Sequence, residues 1–379
     1  MAQKQEGWLD VLEYRALGKL PDLFTFEDGR EVENALDWQE RRGEFYKTAV
    51  ELQYGKMPPE PEFLEVETLY QSKNWSSYRI WSGTKACPVS FVMRVGRPPE
   101  VEGKIPVIVD GDGCFGKFHR SDYLDPPLQA GIGWALFDRT EIAPDVKEAG
   151  RNGPLYRAYP DCDFGAIGAW AWGYSRCVDA LLKLDLVDPE WITFTGHSRG
   201  AKTAMLAGVL DERASIVNPV QSCAGSCSCY RVEMKAIDDK GRLRPGETLA
   251  DLMGRFGFWM GQGMLDYVDC PETLPFDEHF LKAMVAPRTL FVAEALHDIW
   301  SNPLGSWQTS VAAEEAFKFL GAEKNLLWYY RDGGHFHAEE DIKMLVNLIL
   351  HKKDGTPLSE RFFRRPFEEP ELLFEKRYD

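Results

Sequence analysis

The chain has 379 residues, 44% of them apolar, 27% charged and 13% aromatic, and its 60 acidic residues outnumber 44 Lys and Arg for a formal net charge of −16. This is the composition of a soluble globular protein with a sizeable core, and its acidity excludes nucleic acid and anionic membrane surfaces as partners, since both select a basic face. No window approaches the roughly 18 consecutive apolar residues of a membrane span, and the opening MAQKQEGWLDVLEYRAL has no apolar core of a secretory signal, so the chain as given is expected in the cytoplasm.

Residues 1–64 read as an N-terminal helical extension. In ALDWQERRGEFYKTAVELQYG the apolar and aromatic residues recur at helical spacing, and Gly55 stops the run. The proline-rich KMPPEPEF then leads into the main domain, residues 65–352. YRIWSG and PVSFVMRV predict strands of an antiparallel beginning. From there the pattern changes. IPVIVDGDG, GIGWALFDRTEIAPD, WITFTG, TLFVAEA and NLLWYYRDGGH are short β-rich runs that alternate with helical stretches. In one of these, FGAIGAWAWGYSRCVDALLKL, residues Ile167, Trp170, Tyr174, Val178 and Leu181 share a face. Such alternation predicts an α/β fold, a mostly parallel central sheet covered by helices on both faces. About residues 210–275 break the alternation and read as an insertion over the sheet, and 353–379 as a C-terminal tail. The eight cysteines are scattered and read as reduced, buried thiols. CAGSCSC has no Cys-x-x-Cys pair or nearby histidine, so neither a metal nor a cofactor is expected.

The chemistry concentrates at Gly196-His197-Ser198-Arg199-Gly200. Here WITFT predicts a strand and AKTAMLAG a helix, the strand–turn–helix setting of a nucleophile elbow in the α/β-hydrolase fold. Glycines relieve crowding at so tight a turn, which lifts the Ser198 hydroxyl to the positive end of the next helix. A serine needs a base and the base an orienting acid, which in this fold class follow in the order serine, acid, histidine. His335, where the strand of WYYRDGGH runs into two glycines, is the favoured base. His337 is its rival and reads as a rim residue, His279 as a structural polar group, and His351 lies too far along a helix. For the acid, Asp298 in the loop of TLFVAEALHDIWSNP is favoured over Glu294, which is closer to the strand end. The oxyanion donors are expected from the backbone of Arg199 and from Gly113 and Cys114 in VDGDGCFGK.

TGHSRGAKTA resembles the Gly-x-Ser-Arg-x-Gly-Lys motif of the glucuronoyl esterases, carbohydrate esterase family fifteen. LPFDEHFLKAMVAPRTL, DIWSNPLGSW and RDGGHFHAEED resemble further blocks of that family in the same order, and RRGEFYKTAVELQYGKMPPEP resembles its lead-in and that of related acetyl xylan esterase-like proteins. The resemblance implies Ser198 as nucleophile, His335 as base, Arg199 as support for the oxyanion and Lys202 as a sugar contact. It also implies Asp298 and Trp300 as the acid and the aromatic that packs on the uronate. Gln221 and Trp259 are added as candidate substrate contacts. The sequence departs from the family at Gln221, where many members carry a second catalytic glutamate. It departs again at His197, a disulfide-bonded cysteine in fungal members, and at Ala201, the motif's last glycine. With no charge at Gln221, the acid role falls on Asp298.

The expected function is therefore a serine ester hydrolase acting through an acyl-enzyme on a small-molecule or oligosaccharide ester, a uronic acid ester by resemblance. An intracellular acetyl or small-ester esterase and an acyltransferase would use the same residues. A catalytically weak binding protein on a hydrolase scaffold is the reading that the glutamine at 221 keeps open.

Overall fold

The computed structural model describes residues 8–378. Its strands are β1 (Val11–Ala16), β2 (Phe63–Gln71), β3 (Trp75–Gly83), β4 (Pro88–Gly96), β5 (Ile105–Asp110), β6 (Gly133–Phe137), β7 (Val187–His197), β8 (Ile216–Val220), β9 (Val232–Ile237), β10 (Leu243–Pro245), β11 (Thr289–Ala295) and β12 (Leu326–Arg331). The helices are α1 (Ala35–Phe45), α2 (Ser121–Gln129), α3 (Pro154–Ala158), α4 (Ala166–Lys183), α5 (Arg199–Leu210), α6 (Leu249–Phe256), α7 (His279–Val285), α8 (Pro303–Phe319) and α9 (Glu339–Asp354).

Nine strands form one sheet in the order β12-β11-β8-β7-β5-β6-β4-β3-β2. From β12 to β6 every pairing is parallel, while β4, β3 and β2 run antiparallel to their neighbours. Burial follows this division. Every residue of β5, β6, β8, β11 and β12 is buried, the two-sided burial that parallel strands require. Strand β3 instead alternates buried with half-buried residues. This is the α/β-hydrolase arrangement expected from the sequence, and the predicted α4 face, Ile167, Trp170, Tyr174, Val178 and Leu181, is wholly buried.

Chain order places the site. After β5 the chain adds β6 on one side, then returns to place β7 on the other. At such a switch point the loops leaving neighbouring strands diverge and open a crevice beyond their carboxyl ends. The loop after β5 and the elbow after β7 border that crevice. Helix α5 leaves it straight into the core, with Gly200 to Val209 all buried. A Cβ on Gly196 would collide with the Gly200 carbonyl, and one on Gly200 with the Asp112 carboxylate, so both positions accept only glycine.

Three expectations are corrected. The N-terminal extension is not wholly helical, because β1 pairs antiparallel with β9 and β9 with β10 in a separate sheet. The insertion begins later than residue 210, because Ile216–Val220 is a central strand. Pro219 disguises it, having no N–H for the ladder. Asn218 supplies side-chain bonds in the same place, donating from Nδ2 to the Phe291 carbonyl at 2.9 Å and accepting Thr195 Oγ1 at 2.9 Å. The tail is no appendage either. Leu9 N–H donates to Pro366 O at 2.8 Å, Leu20 N–H to Leu373 O at 2.7 Å, and Phe362, Phe367 and Leu373 are buried.

Candidate active site

Strand β7 ends at His197, and α5 begins at Arg199. Between them Ser198 has φ 57° and ψ −121°, a left-handed conformation unusual for a side-chain-bearing residue. The turn is pinned on both sides. Ser198 N–H donates to Val220 O at 3.0 Å, and Ser198 O accepts the amides of Ala201 at 2.9 Å and Lys202 at 3.1 Å. The Arg199 N–H, first in the helix, has no intrahelical acceptor and lies at the positive end of the α5 dipole.

Beneath the elbow is a charged floor that no sequence motif announces. Asp112 Oδ2 accepts the His197 N–H at 2.9 Å and pairs with Lys117 Nζ at 2.9 Å, while its other oxygen pairs with Arg139. Asp110 pairs with the same ammonium at 2.7 Å and accepts from the Tyr123 hydroxyl. All five side chains are buried. Burial pushes the Asp112 carboxyl up, but Lys117 and Arg139 outweigh it and hold it well below the usual carboxylate range. Asp110 shares one cation with Asp112, and burial leaves its carboxyl raised. Immediately after β5, Gly113–Phe115 form a 3-10 turn whose Cys114 thiol is pushed up to about 12 by burial, and so stays protonated.

The loops after β11 and β12 bring Asp298 and His335 together. Asp298, 4% exposed, accepts the His335 Nδ1 proton at 2.7 Å, which leaves Nε2 as the basic nitrogen. The His335 ring lies 4.6 Å from the ring of His197, the residue preceding Ser198. Among the described residues Ser198 Oγ makes no hydrogen bond, and such nucleophile–base contacts commonly tighten only in the substrate complex.

The remaining candidates fall elsewhere. His337 is not a rim residue: it is 3% exposed with Nδ1 at 3.1 Å from Lys117 Nζ, and burial and that ammonium hold its ring well below the usual histidine range. His279 is buried against the Pro21 carbonyl at 2.8 Å, and His351 bonds Thr356 O at 2.8 Å within the α9 end. Glu294 accepts the Ser301 hydroxyl at 2.7 Å rather than an imidazole, and burial pushes it up to about 7.

Among the expected substrate contacts, Trp300 is half-buried with the Arg255 guanidinium 5.0 Å over its ring. Three are corrected, because all are buried. Gln221 is fully buried and bonds His197, Gly334 and Phe336. Trp259, 3% exposed, stacks on Phe256 at 4.1 Å and carries the Arg199 guanidinium 4.6 Å over its own ring, while its Nε1 donates to Asp145 at 2.9 Å. Arg199 in turn pairs with Asp145 at 2.9 Å, so Trp259 and Asp145 together orient that cation. Lys202 is 2% exposed, donates to the Ser222 carbonyl and lies 3.7 Å from Glu247. Its ammonium is closed off from solvent, which corrects the sugar contact expected of it. Sequence reasoning missed Asp112, Lys117, Arg139, Asp145 and Glu247. The Lys117 pairs with Asp110 and Asp112 are local, within VDGDGCFGK, whereas Arg139, Asp145 and Glu247 meet partners distant in the chain.

A family model described as "Glucuronyl esterase, fungi" matches residues 82–321. The 4-O-methyl-glucuronoyl methylesterase of Podospora anserina is 30% identical over 349 residues, covering 89% of this chain and 69% of that protein. The enzyme of the same description from Hypocrea jecorina is 30% identical, covering 86% and 67%. Among solved structures, a carbohydrate esterase family 15 glucuronoyl esterase from Caldicellulosiruptor kristjansonii superposes with a TM-score of 0.78 at 26% identity, covering 96% of this chain and 95% of that one. The glucuronoyl esterase catalytic domain from Hypocrea jecorina gives 0.77 at 26% identity, covering 94% and 95%.

Proposed function

Since the chain belongs to the glucuronoyl esterase family and is a carboxylic ester hydrolase, we propose that it cleaves uronic acid esters with Ser198 as nucleophile, His335 as base and Asp298 as the acid that orients it. The observation that carries this reading is the 2.7 Å contact between Asp298 and His335 Nδ1, on an imidazole 4.6 Å from the ring of His197, the residue before the strained serine. That contact selects the tautomer whose Nε2 can take a proton and stabilises the imidazolium that results.

The reaction runs in two halves. His335 Nε2 takes the Ser198 hydroxyl proton as Oγ bonds to the ester carbonyl carbon. The negative charge then on the carbonyl oxygen meets the Arg199 N–H, the α5 dipole and the turn at Gly113 and Cys114. The C–O bond to the alcohol breaks as the imidazolium returns its proton to the departing oxygen. Water then attacks the acyl-enzyme by the same route in reverse and frees the acid and the serine. The Arg199 side chain, steadied by Asp145 and Trp259, adds a fixed cation beside the developing charge. Trp300, half-buried in the cleft wall, is the aromatic surface available to a sugar ring.

Turnover of benzyl glucuronate and of 4-nitrophenyl acetate by the parent and Ser198→Ala proteins tests this. Hydrolysis of the glucuronate ester that disappears in Ser198→Ala is the expected result. Activity confined to the acetate would reject the uronate assignment while leaving the serine mechanism intact.

A further inference from the structure

Gln221 is fully buried and touches no open surface. From its contacts we propose that Gln221 is a positioning residue, an uncharged clamp that sets the loop bearing the catalytic base, and that its amide chemistry is incompatible with a carboxylate at that position in this chain. The inference rests on the reading of Ser198, His335 and Asp298 as the catalytic groups.

The side chain brackets His335 from both neighbours. Its Oε1 accepts the Phe336 N–H at 3.1 Å, and its Nε2 donates to the Gly334 carbonyl at 3.1 Å. Because one backbone partner can only donate and the other can only accept, the amide orientation is determined without ambiguity. The same Oε1 lies 2.7 Å from His197 Nε2, which must therefore carry the ring proton. His197 can serve as a neutral donor because burial, then the neighbouring His335 and Lys117, push its ring down to about 3. Gln221 itself is anchored, with φ 51° and its N–H donating to Ala293 O at 2.8 Å. The clamp thus ties β8, β11, the elbow and the base loop at one side chain.

An ionised glutamate cannot reproduce this set. One carboxylate oxygen could accept from Phe336 and His197, but the other would face the Gly334 carbonyl, acceptor against acceptor. Arg331 Nη2 already donates to that carbonyl at 3.2 Å, and its guanidinium is engaged by Asp341 at 3.1 Å, so it is not free to compensate. The charged and titratable groups around the position are His197, His335 and Arg331, with Asp298 beyond His335 and Lys117 beyond His197.

Kinetics on benzyl glucuronate with Gln221→Glu, Gln221→Ala, Asp298→Ala and the Asp298→Ala/Gln221→Glu pair test the proposal. Gln221→Glu and Gln221→Ala are expected to lower kcat roughly ten- to a hundredfold while KM stays within about threefold, since the base is displaced and the binding wall is not. In Gln221→Glu the acid limb of the kcat/KM profile is expected to move up by roughly one pH unit, because the new carboxylate favours imidazolium. Adding Gln221→Glu to Asp298→Ala is expected to restore nothing. Recovery of activity in that pair, or parent-like kcat and acid limb in Gln221→Glu, overturns the proposal. If Gln221→Ala does not fold, the nearly isosteric Gln221→Glu decides alone. Fluorophosphonate labelling of Ser198 in the parent protein separates the two levels: failure to label sinks the catalytic reading beneath, whereas normal labelling with indifferent Gln221 variants sinks only the clamp.

Discussion

On the β5 side of Ser198, Asp110 and Asp112 are locked to Lys117 and Arg139 with none of the four open to solvent. On the β11–β12 side His335 is held by one carboxylate, its neighbours Gly334 and Phe336 by neutral bonds to Gln221, and the His335 side chain is 37% exposed. The first arrangement is rigid because removing any member strands a buried charge. The second can shift a little without such a penalty, as a group must when it first accepts and then returns a proton. With the proposed roles of Ser198 and His335, the contrast assigns stability to one side of the serine and proton transfer to the other.

The sharpest way to break that division is Asp298→Asn. It should lower kcat by roughly 10³–10⁴, by favouring the wrong imidazole tautomer, and leave the thermal midpoint nearly unchanged. A fall below tenfold would mean that the loops do not carry the proton chemistry. Asp112→Ala is the mirror experiment. It leaves Lys117 and Arg139 without their shared partner and should cost about 3–5 kcal/mol in a urea titration, whatever remains of activity.

Glu294 extends the contrast into pH. Its folded value of about 7 stands above the ordinary 4.5, so the folded chain keeps a proton that the unfolded chain gives up. The stability this contributes is complete below pH 4.5 and is lost as pH rises through 7, about 3 kcal/mol in all. Glu294→Gln should therefore flatten the decline of the unfolding midpoint between pH 5 and 8. The smallest effect is expected from Asp145→Asn, which loosens Arg199 without stranding it, since Arg199 is 30% exposed. It should reduce kcat/KM by up to about tenfold with a change in unfolding well below that of Asp112→Ala, since the buried Arg139, 3.5 Å away, keeps its pair with Asp112.

How much of this was legible beforehand depended on distance along the chain. Ser198 with its flanking glycines is a local pattern, and Asp298 and His335 follow from strand-end positions in a known order. The sheet was readable because parallel strands are buried on both faces and so appear as apolar runs. Strand β8 was not, because Asn218 and Pro219 contradict strand propensity and are accommodated only by side-chain bonds to Thr195 and Phe291 from other strands. Strand β1 was hidden for a related reason. Most of its residues are exposed, so VLEYRA carries little burial pattern. The ionic floor and the roles of Gln221 and Trp259 depend on partners brought together only by folding. Glutamine and tryptophan near a cleft read equally well as ligand contacts and as supports, and here both are supports.

Helix α5 is buried over nearly its whole length, so Ser198 stands on a central strut rather than a surface element. The segment between β8 and β11, by contrast, contributes Glu247, Trp259 and their neighbours from outside the sheet. That segment also carries Gln221 and Trp259, which hold the His335 loop and the Arg199 side chain, so only changes that spare those two can redraw which esters are admitted without disturbing the site. Diversification, natural or engineered, has one part of this chain to work on and another it must leave alone.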